Sequence, residues 1–182
     1  MNELEKEDEL KTIQESKISI ILDNYDGIFS DFDPRDYQQR ALSDDFLIEA
    51  RKAARDKEDK IELQLLIPQS LRNTQTELKI KKRLRDHFRK HQFLTLKEIK
   101  KIKHLGLTMM IIGAILGVAA VFIPFLFSSP TIQHLFLILL EPAAWFTMWE
   151  GANRYVFEHS EKDKELTFYE KMVQAEIDFK TY

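Results

Sequence analysis

The sequence predicts an α+β protein: a two-helix transmembrane hairpin, a small cytoplasmic α/β sandwich domain of two or three strands and two helices, and a C-terminal amphipathic helix. Three observations predict it. Residues 105–140 contain no Asp, Glu, Lys or Arg. Ahead of that block, apolar residues recur with period two in two short runs and with helical spacing in two longer ones. Charge is segregated: residues 1–50 carry 14 acidic and 5 basic side chains, residues 79–103 carry 11 basic and 2 acidic, and the net charge of −3 hides both. A length of 182 residues suits one compact domain with a small membrane part.

Residues 1–16 form a charged N-terminal segment without the apolar core of a secretory signal. The first membrane segment is therefore expected to serve as its own insertion signal. The chain has no cysteine, which excludes disulfides, thiolate metal sites and cysteine catalysis and fits a reducing compartment.

Residues 17–92 are expected to form the cytoplasmic α/β domain. Ile18, Ile20 and Leu22 recur with period two on one face, and Ile61, Leu63, Leu65 and Ile67 do so more cleanly, so both runs read as strands. Asp26-Gly27 marks a turn, which makes residues 27–32 a candidate third strand in a hairpin. Ser43 is a suitable N-cap for a helix over 44–57, with Asp44 and Asp45 in its first turn. Thr74 or Thr76 opens a basic helix to about His91, whose Ile80, Leu84, His87/Phe88 and His91 form one stripe. Asp23, Asp26, Asp31 and Asp33 lack the order of a calcium loop and suit turns, with Arg35 as an ion-pair partner.

Residues 93–104 read as a basic juxtamembrane linker. Lys81, Lys82, Arg85, Arg89, Lys100, Lys101 and Lys103 are candidate contacts for anionic lipid headgroups or an acidic partner. The run leads straight into the apolar block, so lipid is the more economical partner and nucleic acid is not expected.

Residues 105–127 are apolar for long enough to cross about 30 Å of hydrocarbon. Gly113 and Gly117 form a small-xxx-small pattern that allows close helix packing. Residues 131–157 are the candidate return span after a short Ser-Ser-Pro connection. Lys97, Lys100, Lys101 and Lys103 precede the first span, Arg154, Lys162 and Lys164 follow the second, and the connection has none. That distribution predicts a multi-pass protein of the cell inner membrane with both termini cytoplasmic. Trp145, Trp149 and Tyr155 suit an interfacial belt. Residues 161–182 read as the C-terminal helix, with Leu166, Tyr169, Val173 and Ile177 on one line and Phe168, Met172, Ala175 and Phe179 on another.

Glu141-Pro142 interrupts the second span. A carboxylate at mid-membrane costs roughly 2.5–3.5 kcal/mol on insertion scales. In one geometry the span is a kinked helix with His134, Glu141, Trp145 and Met148 along one face, which makes Glu141, His134 and Trp145 the candidate ion pathway. In the other, Glu141 caps a helix that starts at Pro142. Glu141 then reads as a packing carboxyl, an ion or proton site, or a catalytic group.

The string Glu141-Pro142-Ala143-Ala144-Trp145-Phe146 resembles the tail of the Trp-Asp-x-x-Glu-Pro pore signature of mitochondrial calcium uniporters, in which the Glu belongs to the selectivity filter. Leu137 and Ile138 stand where that family has Trp and Asp, and Glu-Pro lies some ten residues deeper in the segment. A broader resemblance rests on Ser30-Asp31-Phe32-Asp33-Pro34-Arg35, Ala41-Leu42-Ser43-Asp44-Asp45-Phe46, the same Glu141–Phe146 segment with Trp149-Glu150-Gly151, and Phe168-Tyr169-Glu170-Lys171-Met172. These strings are similar to those of small uncharacterised prokaryotic two-span membrane proteins, and that resemblance brings no functional residues with it.

No glycine-rich phosphate loop, nucleophile elbow or zinc-ligand spacing occurs. His87 and His91 are spaced i,i+4 but sit amid positive charge and read as packing. The expectation is a protein that is not an enzyme and uses no cofactor or metal. It would be a homo-oligomer forming a small cation or proton pathway around Glu141. The alternative is a membrane-anchored scaffold or sensor whose α/β domain binds protein or lipid partners.

Overall fold

The computed structural model describes residues 16–55, 57 and 61–182, without the side chain of residue 161. The expected N-terminal segment, apart from Ser16, lies outside the described residues, as does Lys60 at the start of the second expected strand. The elements are β1 (Lys17–Ile21), a 3-10 turn (Tyr25–Ile28), α1 (Asp44–Ala54), β2 (Glu62–Ile67), a second 3-10 turn (Gln69–Leu71), α2 (Thr74–Leu126), α3 (Pro130–Asn153), a π-helical segment (Arg154–Glu158), α4 (Ser160–Gln174) and β3 (Glu176–Thr181). The described residues divide into two compact units, those up to 93 together with 166–182, and residues 94–165.

The first unit is built on an all-parallel sheet in the order β1-β2-β3. Its register aligns Ile18, Leu63 and Ile177 in one row and Ile20, Leu65 and Phe179 in the next. These rows share one face, and they join Phe46 and Ala50 of α1, Ile80, Leu84 and Phe88 of α2, and Phe168 and Met172 of α4 in a single core. The opposite face carries Ser19, Gln64 and Asp178 in one row and Lys17, Glu62 and Glu176 in another, so the unit is a two-layer α/β structure with a polar outer sheet face. Parallel strands cannot be joined by a tight turn. The crossover between β2 and β3 begins in α2 and ends in α4, and the second unit is an insertion inside it.

Local chemistry sets the ends of these elements. Asn73 accepts a bond from the Thr76 backbone N–H at 3.0 Å, which caps α2. The Tyr25 hydroxyl donates to Glu77 at 3.0 Å and accepts from the Asn73 N–H at 2.8 Å, and Arg72 ion-pairs with the same buried carboxylate. This network ties the first 3-10 turn to the start of α2.

Two parts of the first unit differ from the sequence expectation. Residues 27–32 are not a hairpin strand. The Asn24 side chain accepts from the Gly27 N–H at 3.2 Å and closes a 3-10 turn, after which Phe29 makes an isolated bridge to Leu42. The third strand is β3, at the C-terminus. The expected helix over 161–182 therefore stops at Gln174. Ile177 and Phe179 are buried and alternate with Glu176, Asp178 and Lys180, a period of two that overlaps a helical stripe when read with Phe168 and Met172.

The predicted fold class and localisation are also corrected. The expected two-helix transmembrane hairpin is replaced by one 53-residue helix, α2, that contains the basic segment, the expected linker over 93–104 and the expected first span over 105–127 up to Leu126. Among the described residues, α2 is the one helix long and apolar enough to cross a membrane. In α3, Gln133, His134, Glu141 and Pro142 dilute the apolar run. The multi-pass topology with both termini cytoplasmic depended on two spans and is not supported. The expected interruption at Glu141-Pro142 is absent too. α3 runs from Pro130 to Asn153 with Pro142 inside it, so Glu141 is not the cap of a new helix. Proline removes the N–H that Ile138 would otherwise receive, and the remaining ladder holds the helix together.

Candidate functional site

In the second unit α3 runs back along the apolar part of α2. The connection is closed by Gln133, whose Nε2 donates to the Phe127 carbonyl at 2.5 Å and the Pro124 carbonyl at 3.4 Å, satisfying groups left open at the end of α2. Pro130 occupies the start of α3, where its missing N–H costs nothing.

Glycines set the spacing of the two helices. A Cβ on Gly106 would lie 2.8 Å from the Gly151 oxygen and from the Tyr155 nitrogen. A Cβ on Gly113 would lie 2.6 Å from the Met148 nitrogen and 2.8 Å from the Ala144 oxygen. Gly113 therefore does what the small-xxx-small pattern suggested. Gly117 does not, because a Cβ there would meet the Ala144 Cβ at an ordinary 3.9 Å. Gly106 and Gly151 have the same crowding as Gly113. In the sequence Gly106 lies near the stripe of Gly113 and Gly117, whereas nothing local marks Gly151 as its partner.

Along this contact lies an open cleft of about 460 Å³. Gly113, Gly117 and Val121 line it from α2; Leu137, Glu141, Trp145 and Met148 line it from α3. Ala144 faces Gly113 and Gly117, so Glu141 is level with the next turn of α2, roughly 18 Å along the helix from Gly106. No Lys or Arg occurs between Lys103 and Arg154, so no fixed cation in that stretch can neutralise Glu141. Glu150, the other carboxylate of α3, is paired with Arg154 at 2.8 Å.

Of the three predicted pathway residues, the structure brings Glu141 and Trp145 into this cleft. His134 is elsewhere. Its Nδ1 lies 2.8 Å from the Pro130 carbonyl, two turns from Glu141 on the same helix. The Trp145 ring stacks on Trp149 with centroids 6.5 Å apart.

The surroundings of the cleft are apolar and exposed. The apolar window of α2 is 17% buried, which separates it from the core helix of a soluble protein. Ile111, Ile115, Val118 and Phe122 of α2 and Leu135, Ile138 and Phe146 of α3 present large exposed side chains. Trp149, Tyr155 and Phe157 are exposed near the far end of α3.

The predicted basic contacts divide. Lys81 is paired with Asp178 at 2.7 Å within the first unit. Lys82, Arg85 and Arg89 are exposed on α2, as are Lys79 and Lys90, which the sequence reading did not select. Lys100 and Lys101 are exposed and Lys103 is half-buried.

The acidic loop is a network of turns. Asp33 pairs with Arg35 at 2.7 Å and accepts from the Ala41 N–H at 2.6 Å; the Arg35 guanidinium, first, then that N–H, hold its carboxyl well below the usual range. Asp26 pairs with Arg40 at 2.5 Å and accepts from the Tyr37 hydroxyl at 3.2 Å. Among the described residues, no group of three or more His, Asp or Glu side chains is placed to hold a metal ion.

His87 and His91 stack at 4.2 Å, and His91 lies 5.4 Å from the Tyr169 ring. The buried His87 Nε2 has no hydrogen-bond partner. Burial, then the positive charges of His91, Arg83 and Lys90, lower its pKa from the ordinary 6.5 to about 4.

No family model, curated protein or solved structure matches the chain.

Proposed function

We propose that the protein is a membrane-embedded homo-oligomer that holds an exchangeable proton or cation at Glu141. The observation that carries this reading is a carboxylate opening into a cleft with apolar walls, on a stretch of chain that has no Lys or Arg. The exposed apolar surface of α2, among the described residues the one helix long and apolar enough to cross a membrane, suits hydrocarbon better than water. There an unneutralised carboxylate costs roughly 2.5–3.5 kcal/mol, which a bound positive charge offsets. Neighbouring copies that turn this flank toward one another also remove Glu141 from lipid.

The test is flux in liposomes reconstituted with the full chain. Proton or cation flux is expected with the wild-type protein and is lost in Glu141→Gln at unchanged oligomer mass. Retained flux with a dissolved oligomer makes Glu141 a packing residue instead.

The exposed basic face of Lys82, Arg85 and Arg89 favours a second reading, a membrane-anchored scaffold whose α/β unit binds an anionic surface. Absence of flux, together with salt-sensitive binding to anionic vesicles that Lys82, Arg85 and Arg89 support, selects it.

A further inference from the structure

We propose that the cleft between α2 and α3 takes a hydrophobic organic cation, with Glu141 neutralising its charge and Trp145 lying against it. The inference rests on the reading of Glu141 as an exchangeable cation site and names the class of ligand. Three features of the cleft select that class over an inorganic ion.

The first is the supply of donors. A hard divalent cation replaces its water with about six oxygen ligands. The cleft is lined by one carboxylate among Gly, Ala, Val, Leu, Pro, Trp and Met, and the described residues hold no cluster of three metal-capable side chains. An organic cation needs no such cage, because its charge is spread over an apolar body that apolar walls can accept.

The second is size and shape. A volume of about 460 Å³ lies in the range of small-molecule sites. Gly117 lines it from α2, and a Cβ there would meet the Ala144 Cβ at an ordinary 3.9 Å, so the helices do not need this glycine for their own contact.

The third is the pairing of Glu141 with Trp145. They are four residues apart on α3, and neighbouring positions on a helix face lie about 5–6 Å apart at Cβ. A cation held at the carboxylate is then within reach of the indole face, whose quadrupole attracts it. Trp145 remains 64% exposed in spite of its contact with Trp149.

The experiment uses the full chain in lipid nanodiscs and equilibrium dialysis with methyltriphenylphosphonium and, as a neutral probe of similar shape, triphenylphosphine oxide. The wild-type protein is expected to hold the phosphonium at least tenfold more tightly than the oxide. Glu141→Gln erases that preference, and Gly117→Leu, which fills the cleft from the α2 side, weakens both probes. Equal affinity for the two probes in the wild type, or a preference that persists in Glu141→Gln, overturns the inference.

Modification of Glu141 by dicyclohexylcarbodiimide, followed by mass spectrometry, separates the two levels. Phosphonium protection of a reactive Glu141 supports the inference. Reactivity without protection overturns the organic-cation assignment and leaves the exchangeable carboxylate standing. An unreactive Glu141 in a protein without flux overturns both.

Discussion

Gly106 and Gly151 bring α2 and α3 together backbone to backbone: a Cβ on Gly151 would lie 2.6 Å from the Gly106 oxygen and 2.6 Å from the Met110 nitrogen. Neither atom can move without displacing a helix. Gly151→Ala and Gly113→Ala are therefore expected to destabilise the second unit by about 1–3 kcal/mol each, the usual cost of overpacking. Gly117→Ala should stay within about 0.5 kcal/mol. Thermal unfolding of the three variants in the same detergent checks the order. Equal losses at Gly113 and Gly117 would show that the helices meet differently.

The hydroxyl of Tyr25 joins two elements that are far apart in sequence. It receives the Asn73 N–H and donates to Glu77, a buried carboxylate that also holds Arg72. Tyr25→Phe keeps the ring contacts with Tyr37 and Phe179 and removes those two bonds. The expected cost is about 1–2 kcal/mol in denaturant unfolding of the first unit, because Arg72 still satisfies part of the carboxylate.

His87 gives the first unit a pH dependence of defined sign. In the folded chain its pKa is about 4, against an ordinary 6.5, so between those values the unfolded chain binds the extra proton. Its contribution to stability is complete above about pH 6.5 and is lost as the pH falls through about 4. The melting temperature should decline over that window, and His87→Leu should flatten the decline. An unchanged slope in the variant assigns the pH dependence to other groups.

Phe179 tests the C-terminal strand. It is buried in the core beside Leu65, whereas Tyr182 is exposed. Phe179→Ala is expected to cost about 3–5 kcal/mol, and Tyr182→Ala almost nothing. Denaturant midpoints of the first unit measure both.

That strand also shows where sequence reasoning stopped. β1, β2, α1 and the start of α2 were legible because period-two alternation, Ser43 and Thr74 are local signals, although Ser43 holds its N-cap position without a side-chain bond, α1 stops at Ala54, and the side chain that caps α2 is that of Asn73. β3 was not, because its identity depends on pairing with β2 across the whole inserted unit. Read locally, Ala175 and Phe179 extend the stripe of Phe168 and Met172 equally well.

The continuity of α2 was missed for another reason. Between Phe93 and His104 the composition changes, but no glycine or proline falls there, and Lys, Leu and Glu are good helix formers. Helices end at breakers and caps, and a shift from basic to apolar residues is neither. The same logic applies in reverse at Pro142, a breaker that a surrounding helix of 24 residues absorbs. The candidate site was partly legible. Glu141 and Trp145 stood out as a carboxylate and an indole in an apolar run, and their cleft depended on the pairing of α2 with α3.

The most direct measurement of the central claim is difference infrared spectroscopy of the full chain in nanodiscs, recorded on a change of pH and on addition of methyltriphenylphosphonium. An exchangeable site at Glu141 predicts a carboxyl band that responds to both changes in the wild-type protein and is missing in Glu141→Gln. A spectrum in which every responding carboxyl band survives in Glu141→Gln would contradict it.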